Sequence, residues 1–517
     1  GAERLESWVA RLIEDERLIQ GDLVAAVDKI RVCDAENYEI LLRLGRVRRR
    51  DAIEALPLAD LPLMLAQHQG LCRRARATSA VASAVHGEVS TEVVKGIKRA
   101  GEGMAAAGPE AVLGHLERLS GWPAKAGHWE REILPARVPG YQPAWLDAVL
   151  QAGELIWWGC GPERLTFCYQ DELDLLMRIP NGETPLVDEV QGADTIAEAS
   201  VAEARKASLA ALPKGAAAAR YPFSSLVGQR PRDRVYRDLW QLVWAGQWVN
   251  DGFQAVRQGI ANRFQWPAAG AGGQPPRRRR LGHRHGGRPH RLQVPGNWYR
   301  PAAPQPAEDE LGELEIDKER VRLLLGRYGI LLRPLLAREL TTFSWKRLFR
   351  ALRLMELAGE VVGGHFIDGA PGPQFISPAL QRTLARGLDR KTIFYLNATD
   401  PASCCGLGLA WSGGEPPARR DGTHLVYHGN RLVLVSGRQG RSLTFYVEPN
   451  DDYLLNYLYV FDHILKYRMN GKSGISIESI NDEQAPESPY LAAMRRRFEV
   501  SVDPHTVTIY RPWTSSA

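Results

Sequence analysis

Three stretches of this chain repeat one phrase. Trp145-LDAVLQAGELIWWG, Leu239-WQLVWAGQWVNDG and Leu352-RLMELAGEVVGGHF each place a short amphipathic run before a glycine and an apolar pair after it. With Gly153, Gly246 and Gly359 aligned, Leu150, Val243 and Met355 fall three or four residues earlier, and Leu155, Trp248 and Val361 fall two later. A glycine just past a helix adopts the left-handed backbone that ends it, and an apolar pair directly afterwards opens a strand. A weaker copy, Trp8-VARLIEDERLIQG, carries Glu16 at the glycine position. Any one helix–glycine–strand connection in an α+β protein reads this way. Four copies predict a repeated unit in which a helix runs straight into a β-ribbon, the construction of a winged helix-turn-helix.

Composition limits the setting. A chain of 517 residues predicts roughly three to five domains, and 44% hydrophobic with 24% charged residues is ordinary for globular protein. No apolar run reaches the roughly 20 residues that span a bilayer, and no signal-peptide pattern opens the chain. The sequence begins inside a module and reads as a fragment of something longer. Its six cysteines form no C-x-x-C pair and have no histidines at zinc spacing, so neither a metal nor another cofactor is expected. Scattered free thiols fit a reducing cytoplasm.

The net charge of +6 is local in origin. Between Gly252 and Ala307 there is no carboxylate, while Arg257, Arg263, Arg277, Arg278, Arg279, Arg280, Arg284, Arg288, Arg291 and Arg300 supply ten positive charges. The remainder of the chain is slightly acidic. Winged helices bind nucleic-acid grooves, and the search for a phosphate contact starts at this basic stretch, with the run Arg277, Arg278, Arg279 and Arg280 at its centre.

The fold class expected is a multidomain α+β protein: tandem winged-helix modules followed by a C-terminal antiparallel, β-barrel-like domain. Residues 1–32 read as the end of one winged module and 33–105 as a helical segment. A winged module with an acidic loop covers 106–200, and another covers 201–265. The Gly/Pro/Arg-rich stretch 266–296 reads as a disordered linker, either a solvated spacer or an arm that tracks phosphates. A further winged module spans 297–388. Its helix Trp345–Leu357 buries Trp345, Leu348, Leu352 and Met355 and turns Lys346, Arg347, Arg350 and Arg353 outward, a cationic face suited to a groove or simply a solvated one. From 389 to 517 the periodicity switches to short strands: Ile393–Leu396, His424–Tyr427, Arg431–Val435 and Ser442–Val447. A helix Asp452–Lys466 and a terminal strand pair follow.

Longer motifs then carry a family resemblance. Phe394-YLNATDPASCCGLGLAW holds a DPA-x-x-x-G-x-x-x-x-W segment from Asp400 to Trp411, and with Asn430-RLVLVSGRQGRSL it resembles the barrel of large-helicase-related (Lhr) bacterial DNA helicases. Glu130-REILPARVPGYQPAWLD, Leu239-WQLVWAGQWVND, Cys33-DAEN, Trp298 and Arg327-YGIL agree with it. The resemblance implies a superfamily-2 helicase, but no G-x-x-x-x-G-K-[ST] loop or DEAH-like box is present: Gly471-Lys472-Ser473 has Lys466 where the first glycine must stand. The chain is therefore similar to the region beyond the motor. DNA, single-stranded or as a damaged duplex, is the expected partner, together with the helicase core of the intact protein; self-association is a further candidate.

The same resemblance extends to tandem winged-helix DNA glycosylases, whose short Q-x-Q or Q-x-D motif is matched by Gln67-His68-Gln69. Glutamine can position a water but is a poor base. A carboxylate orients water and also stabilises an oxocarbenium ion, which makes Asp400 the preferred catalytic candidate beside Gln67 and Gln69. The plainer role for Asp400-Pro401 is to cap a strand and set a turn. The resemblance thus implies DNA repair, either by binding alone or by metal-independent excision of uracil or a damaged base with an activated water. Trp157, Trp158, Trp244, Trp248, Trp345 and Trp411 are candidates for base stacking, although their spacing equally suits a core.

Overall fold

The structure is a computed structural model. It describes residues 8–13, 15, 17–21, 31–34, 54–71, 73–74, 108–177, 219–266, 293–302, 309–409, 417–467 and 474–511. The chain divides into two compact units, Gly1–Ala55 with Gln381–Gly387, and Leu56–Leu380 with Leu388–Ala517. In the first unit, a helical stretch at 8–13 precedes β1 (Leu18–Gly21), which pairs antiparallel with β2 (Arg31–Asp34). The weakest copy of the repeated phrase therefore also runs from helix into hairpin.

The second unit opens with α1 (Leu61–His68) and β3 (Arg73–Arg74), and then builds winged helices. One consists of α2 (Pro109–Arg118), β4 (Ala124–Lys125), the helical run α3 (126–137), α4 (Pro143–Gln151), β5 (Leu155–Gly161) and β6 (Arg164–Tyr169), with strand order β4-β6-β5. Proline begins both α2 and α4, where its missing N–H costs nothing and its fixed φ suits a helix start. A second has β7 (Tyr221–Pro222), α5 (Phe223–Val227), α6 (Arg232–Trp244), β8 (Val249–Asn250), α7 (Gln254–Ala261) and β9 (Asn297–Tyr299), in the order β7-β9-β8. A third has α8 (Glu310–Tyr328), β10 (Ile330–Leu331), α9 (Arg333–Leu336), α10 (Trp345–Ala358), β11 (Val362–Gly364) and β12 (Gln374–Ile376), in the order β10-β12-β11.

The glycines that announced these units do what the phrase requires. Gly153, Gly246 and Gly359 have φ of +88°, +72° and +80°, a region that costs other residues energy. Leu150, Val243 and Met355 before them, and Leu155, Trp248 and Val361 after them, are all buried.

One expected boundary falls elsewhere. Composition predicts a module opening at 297, yet β9 pairs with β7 and β8, Trp298 lying opposite both Tyr221 and Asn250. Asn297–Tyr299 completes the sheet of the preceding unit, and Trp298 is wholly buried there. The stretch expected as a linker between modules is thus an insertion between two ribbon strands of one module. The four arginines proposed as its phosphate-tracking arm, Arg277, Arg278, Arg279 and Arg280, lie outside the described residues. So do the acidic loop before 201 and Trp411.

Beyond the winged units lies an open sheet. β13 (Thr392–Asn397), β14 (His424–His428), β15 (Arg431–Gly437) and β16 (Ser442–Phe445) form a meander matching the alternation of the sequence. The helix expected over Asp452–Lys466 is divided, Leu454–Tyr457 preceding α11 (Tyr459–Tyr467). β17 (Gly474–Ile477) leaves the meander, and β18 (Ser479–Ile480) and β19 (Glu483–Gln484) extend it. The order β19-β18-β16-β15-β14-β13-β3 leaves β19 and β3 as separate edges, so no closed barrel forms among the described residues. The β16–β18 pair is parallel, and β3 comes from the segment expected to be wholly helical. The expected terminal strands, β20 (Glu499–Val502) and β21 (Val507–Tyr510), pair with β17 in a second sheet.

Aromatic packing joins the first two winged units. Trp157 of β5 stacks on Trp240 of α6 at 6.4 Å, and Trp158 Nε1 donates to the Gly246 carbonyl at 3.0 Å. A Cβ at Gly159 would stand 1.9 Å from the Val243 carbonyl oxygen, so only glycine lets the ribbon approach the helix end this closely. Trp157, Trp158 and Trp248 are core residues, Trp244 stacks on Trp240 at 5.2 Å, and Trp345 packs near Phe375. No helix among the described residues is long and apolar enough to cross a membrane.

Candidate active-site cleft and nucleic-acid interface

Two of the three residues singled out for catalysis meet on a guanidinium. Arg137, at the end of α3, donates from Nη1 to Asp400 Oδ2 at 2.8 Å and from Nη2 to Asp400 Oδ1 at 2.9 Å. Nη2 also donates to Gln69 Oε1 at 2.6 Å, and Nη1 to the Ile133 carbonyl at 3.1 Å. Asp400 Oδ1 accepts the Ala402 N–H at 2.8 Å, the turn-setting role that DPA allows. Arg137 and Asp400 have side-chain exposures of 0% and 1%, so neither faces solvent or a site that a sugar could enter. Gln67 turns elsewhere, its Nε2 donating to the Asp389 carbonyl at 2.9 Å. The Q-x-Q residues therefore do not converge on one point.

A cleft of about 410 Å³ opens where α3, the residues after α7, the start of β14 and α11 come together. Its volume falls within the range of small-molecule sites. The middle turn of α3, Trp129–Ile133, is wound as a π-helix, an irregularity often found at functional positions. On one side His128 Nε2 meets Asp421 Oδ1 at 3.0 Å, while Lys125 Nζ reaches Asp421 Oδ2 at 3.4 Å. The hydrogen bond from His128 holds the Asp421 carboxyl below its usual range, against a smaller opposing effect of burial and with further help from the charges of His128 and Lys125. Half of the Asp421 side chain remains exposed, so an ionised carboxylate faces the opening.

On the other side Glu132 Oε2 lies 2.9 Å from His424 Nε2 and 3.5 Å from His463 Nε2. Burial alone raises the Glu132 pKa, but the charge and hydrogen bonds of His424 and His463 outweigh it and hold the carboxyl far below the usual range. His424 is only 3% exposed, and its Nδ1 has no partner. Arg131 and Arg263 add positive charge to the lining. No group of three or more His, Cys, Asp or Glu side chains arranged to hold a metal ion occurs among the described residues.

This cluster is not visible in the sequence because its members come from distant parts of the chain. One local signal exists: His128 and Glu132 are four residues apart on a helical stretch.

The expected nucleic-acid face on α10 is already engaged. Arg347 bonds Asp317 at 2.7 Å and also pairs with Glu313, Arg350 pairs with Glu310, and Arg353 with Glu356 at 2.7 Å. Helix α8 carries Glu310, Glu313 and Asp317 along the side facing α10, which neutralises the stripe. Lys346 is exposed and has no ion pair among the described residues. Helix α4 offers no cation at all. Helix α6, which sequence reasoning does not single out, exposes Arg232, Arg234 and Arg237.

Helix–ribbon units in series, each with its short third strand, define a tandem winged-helix protein. Profiles described as "Large helicase-related protein, winged-helix domain" match residues 313–392 and 91–169. The chain is thus related to large-helicase-related (Lhr) proteins and resembles the region of them built from winged-helix domains. It is similar to the "Lhr helicase/ probable uracil glycosylase" of Mycolicibacterium smegmatis, 27% identical over 459 residues, covering 84% of this chain and 27% of that protein. It is also similar to the "Lhr helicase/uracil glycosylase" of Escherichia coli, 26% identical over 428 residues, covering 75% of this chain and 25% of that protein. The chain spans about a quarter of the length of these relatives. Among solved structures, Streptomyces sahachiroi DNA glycosylase AlkZ aligns with a TM-score of 0.42 and 13% identity over 80% of this chain and 97% of that one.

Proposed function

We propose that this chain is a DNA-binding region of a repair helicase and acts in the cytoplasm beside a motor that its own sequence does not encode. The observation that supports this most is the series of glycine-stopped helix–ribbon units, whose architecture binds nucleic-acid grooves, in a relative of helicases. Binding to labelled duplex and single-stranded DNA, titrated against salt, tests it. Affinity falling steeply with salt is expected; no measurable binding at low salt refutes it.

A second reading, base excision, is favoured by the cleft. Excision requires an extruded base, a water, and a carboxylate near the anomeric carbon. Asp421 supplies an ionised, half-exposed carboxylate steered by His128 and Lys125, whereas Asp400 is sealed against Arg137. In this reading the C1′–N bond breaks and the water oxygen bonds to C1′. Its proton passes to Asp421, and the base leaves with the bonding electron pair. Asp400, Gln69 and Gln67 serve the frame rather than the chemistry. An oligonucleotide with a single uracil is incubated with the chain and treated with alkali to reveal abasic product. Product from wild type, lost in Asp421→Asn with folding intact, is expected. No wild-type product removes the reading for uracil, and product undiminished in Asp421→Asn removes Asp421.

A further inference from the structure

We infer that the second winged unit of the larger structural unit grips duplex DNA through the N-terminal half of α6, with Arg232, Arg234 and Arg237 on backbone phosphates. The inference rests on the DNA-binding reading and specifies which helix carries it.

The two halves of α6 have different surroundings. The C-terminal half is covered by the neighbouring ribbon: Gly159 abuts the Val243 carbonyl, Trp157 stacks on Trp240, and Trp158 bonds the Gly246 carbonyl. The N-terminal half remains open, with Arg232, Asp233, Arg234 and Arg237 all exposed. In helix-turn-helix proteins it is the N-terminal residues of this helix that reach the groove. The packing that joins the units therefore blocks the part of α6 least needed for DNA and leaves the useful part free.

Charge distinguishes α6 from the other two third helices. On α10, Arg347 and Arg350 are matched by carboxylates of α8 and Arg353 by Glu356 of its own helix, and α4 has no arginine to offer. On α6, Asp233 sits 4.0 Å from Arg237, with both side chains more than half exposed. Arg232 and Arg234 have no ion pair among the described residues. An exposed pair of this kind is weak, so a phosphate displaces Asp233 at little cost.

The test uses the whole chain and a fluorescein-labelled duplex, with anisotropy followed over a series of salt concentrations. Two variants change Arg232, Arg234 and Arg237 together, one to Gln and one to Lys; a third, as a comparison on α10, combines Arg350→Gln with Arg353→Gln. Because the α6 side chains are exposed, far-UV circular dichroism and thermal midpoints should match wild type. The Gln variant is expected to flatten the plot of log affinity against log salt by up to about 2.7, ~0.9 for each phosphate that no longer meets a cation. The Lys variant is expected to restore most of the slope, since binding to phosphate follows charge and a structural guanidinium would not be replaced. A wild-type slope retained by the Gln variant, or a flattening confined to the α10 variant, overturns the assignment to α6. Absence of salt-dependent binding by wild type instead refutes the DNA reading on which it rests.

Discussion

Replacing Asp400 with alanine separates a frame from a reaction centre. The substitution removes both oxygens that face Arg137, at 2.8 and 2.9 Å, together with the acceptor for the Ala402 N–H. Arg137 keeps only the neutral acceptors Gln69 Oε1 and the Ile133 carbonyl. With exposures of 0% and 1%, solvent cannot take over the charge. On a surface such a loss costs about 0–1 kcal/mol, but for a buried pair it costs about 3–5 kcal/mol, because one charge is stranded. Asp400→Ala should therefore fall in the higher range. Arg137→Met should be similar, and Arg137→Met with Asp400→Leu should recover most of the loss, since well-packed apolar replacement of a buried pair is often neutral. Urea unfolding followed by circular dichroism across wild type, Arg137→Met, Asp400→Leu and the double variant yields the coupling between the sites. A stability for Asp400→Ala within about 1 kcal/mol of wild type, with additive effects in the double variant, refutes the clamp and reopens a catalytic role for Asp400.

Acid should expose the Glu132 cluster. Its folded carboxyl titrates well below the unfolded value of about 4.3, so its contribution to stability is complete above that pH and is lost as pH falls towards the folded pKa. Glu132→Gln should flatten the acid limb of melting temperature against pH, and a parallel limb in the variant contradicts the assignment. Gly153 and Gly246 share left-handed backbone but differ in space: a Cβ at Gly153 meets nothing within 4 Å, whereas at Gly246 it lies 2.6 Å from Trp158. Gly153→Ala should cost about 1 kcal/mol from backbone strain alone, and Gly246→Ala clearly more, measured by the same urea unfolding. Equal costs would show that the ring yields freely.

The winged units are readable because their defining event is local. A glycine with positive φ, a buried residue three or four positions earlier and another two positions later occupy a window of about two turns of helix, and each follows from the chemistry of that window. The boundary at 297 is misread for the converse reason. β8 and β9 are two and three residues long, their pairing spans the most basic stretch in the chain, and composition there changes more sharply than topology does. The α10 stripe shows the same limit in charge. Lys346, Arg347, Arg350 and Arg353 are as cationic in isolation as Arg232, Arg234 and Arg237, and only the neighbouring helix separates the two sets. Asp400 stands out for a real property, a carboxylate at a strand end, yet whether such a group faces water or a guanidinium depends on Arg137, 263 positions away. Asp421 and Glu132 are equally ordinary along the chain and become distinctive only where α3 meets β14 and α11. Function in this molecule therefore depends on which surfaces the units leave uncovered. Such surfaces arise from contacts between units, and a window short enough to reveal a helix cannot contain them.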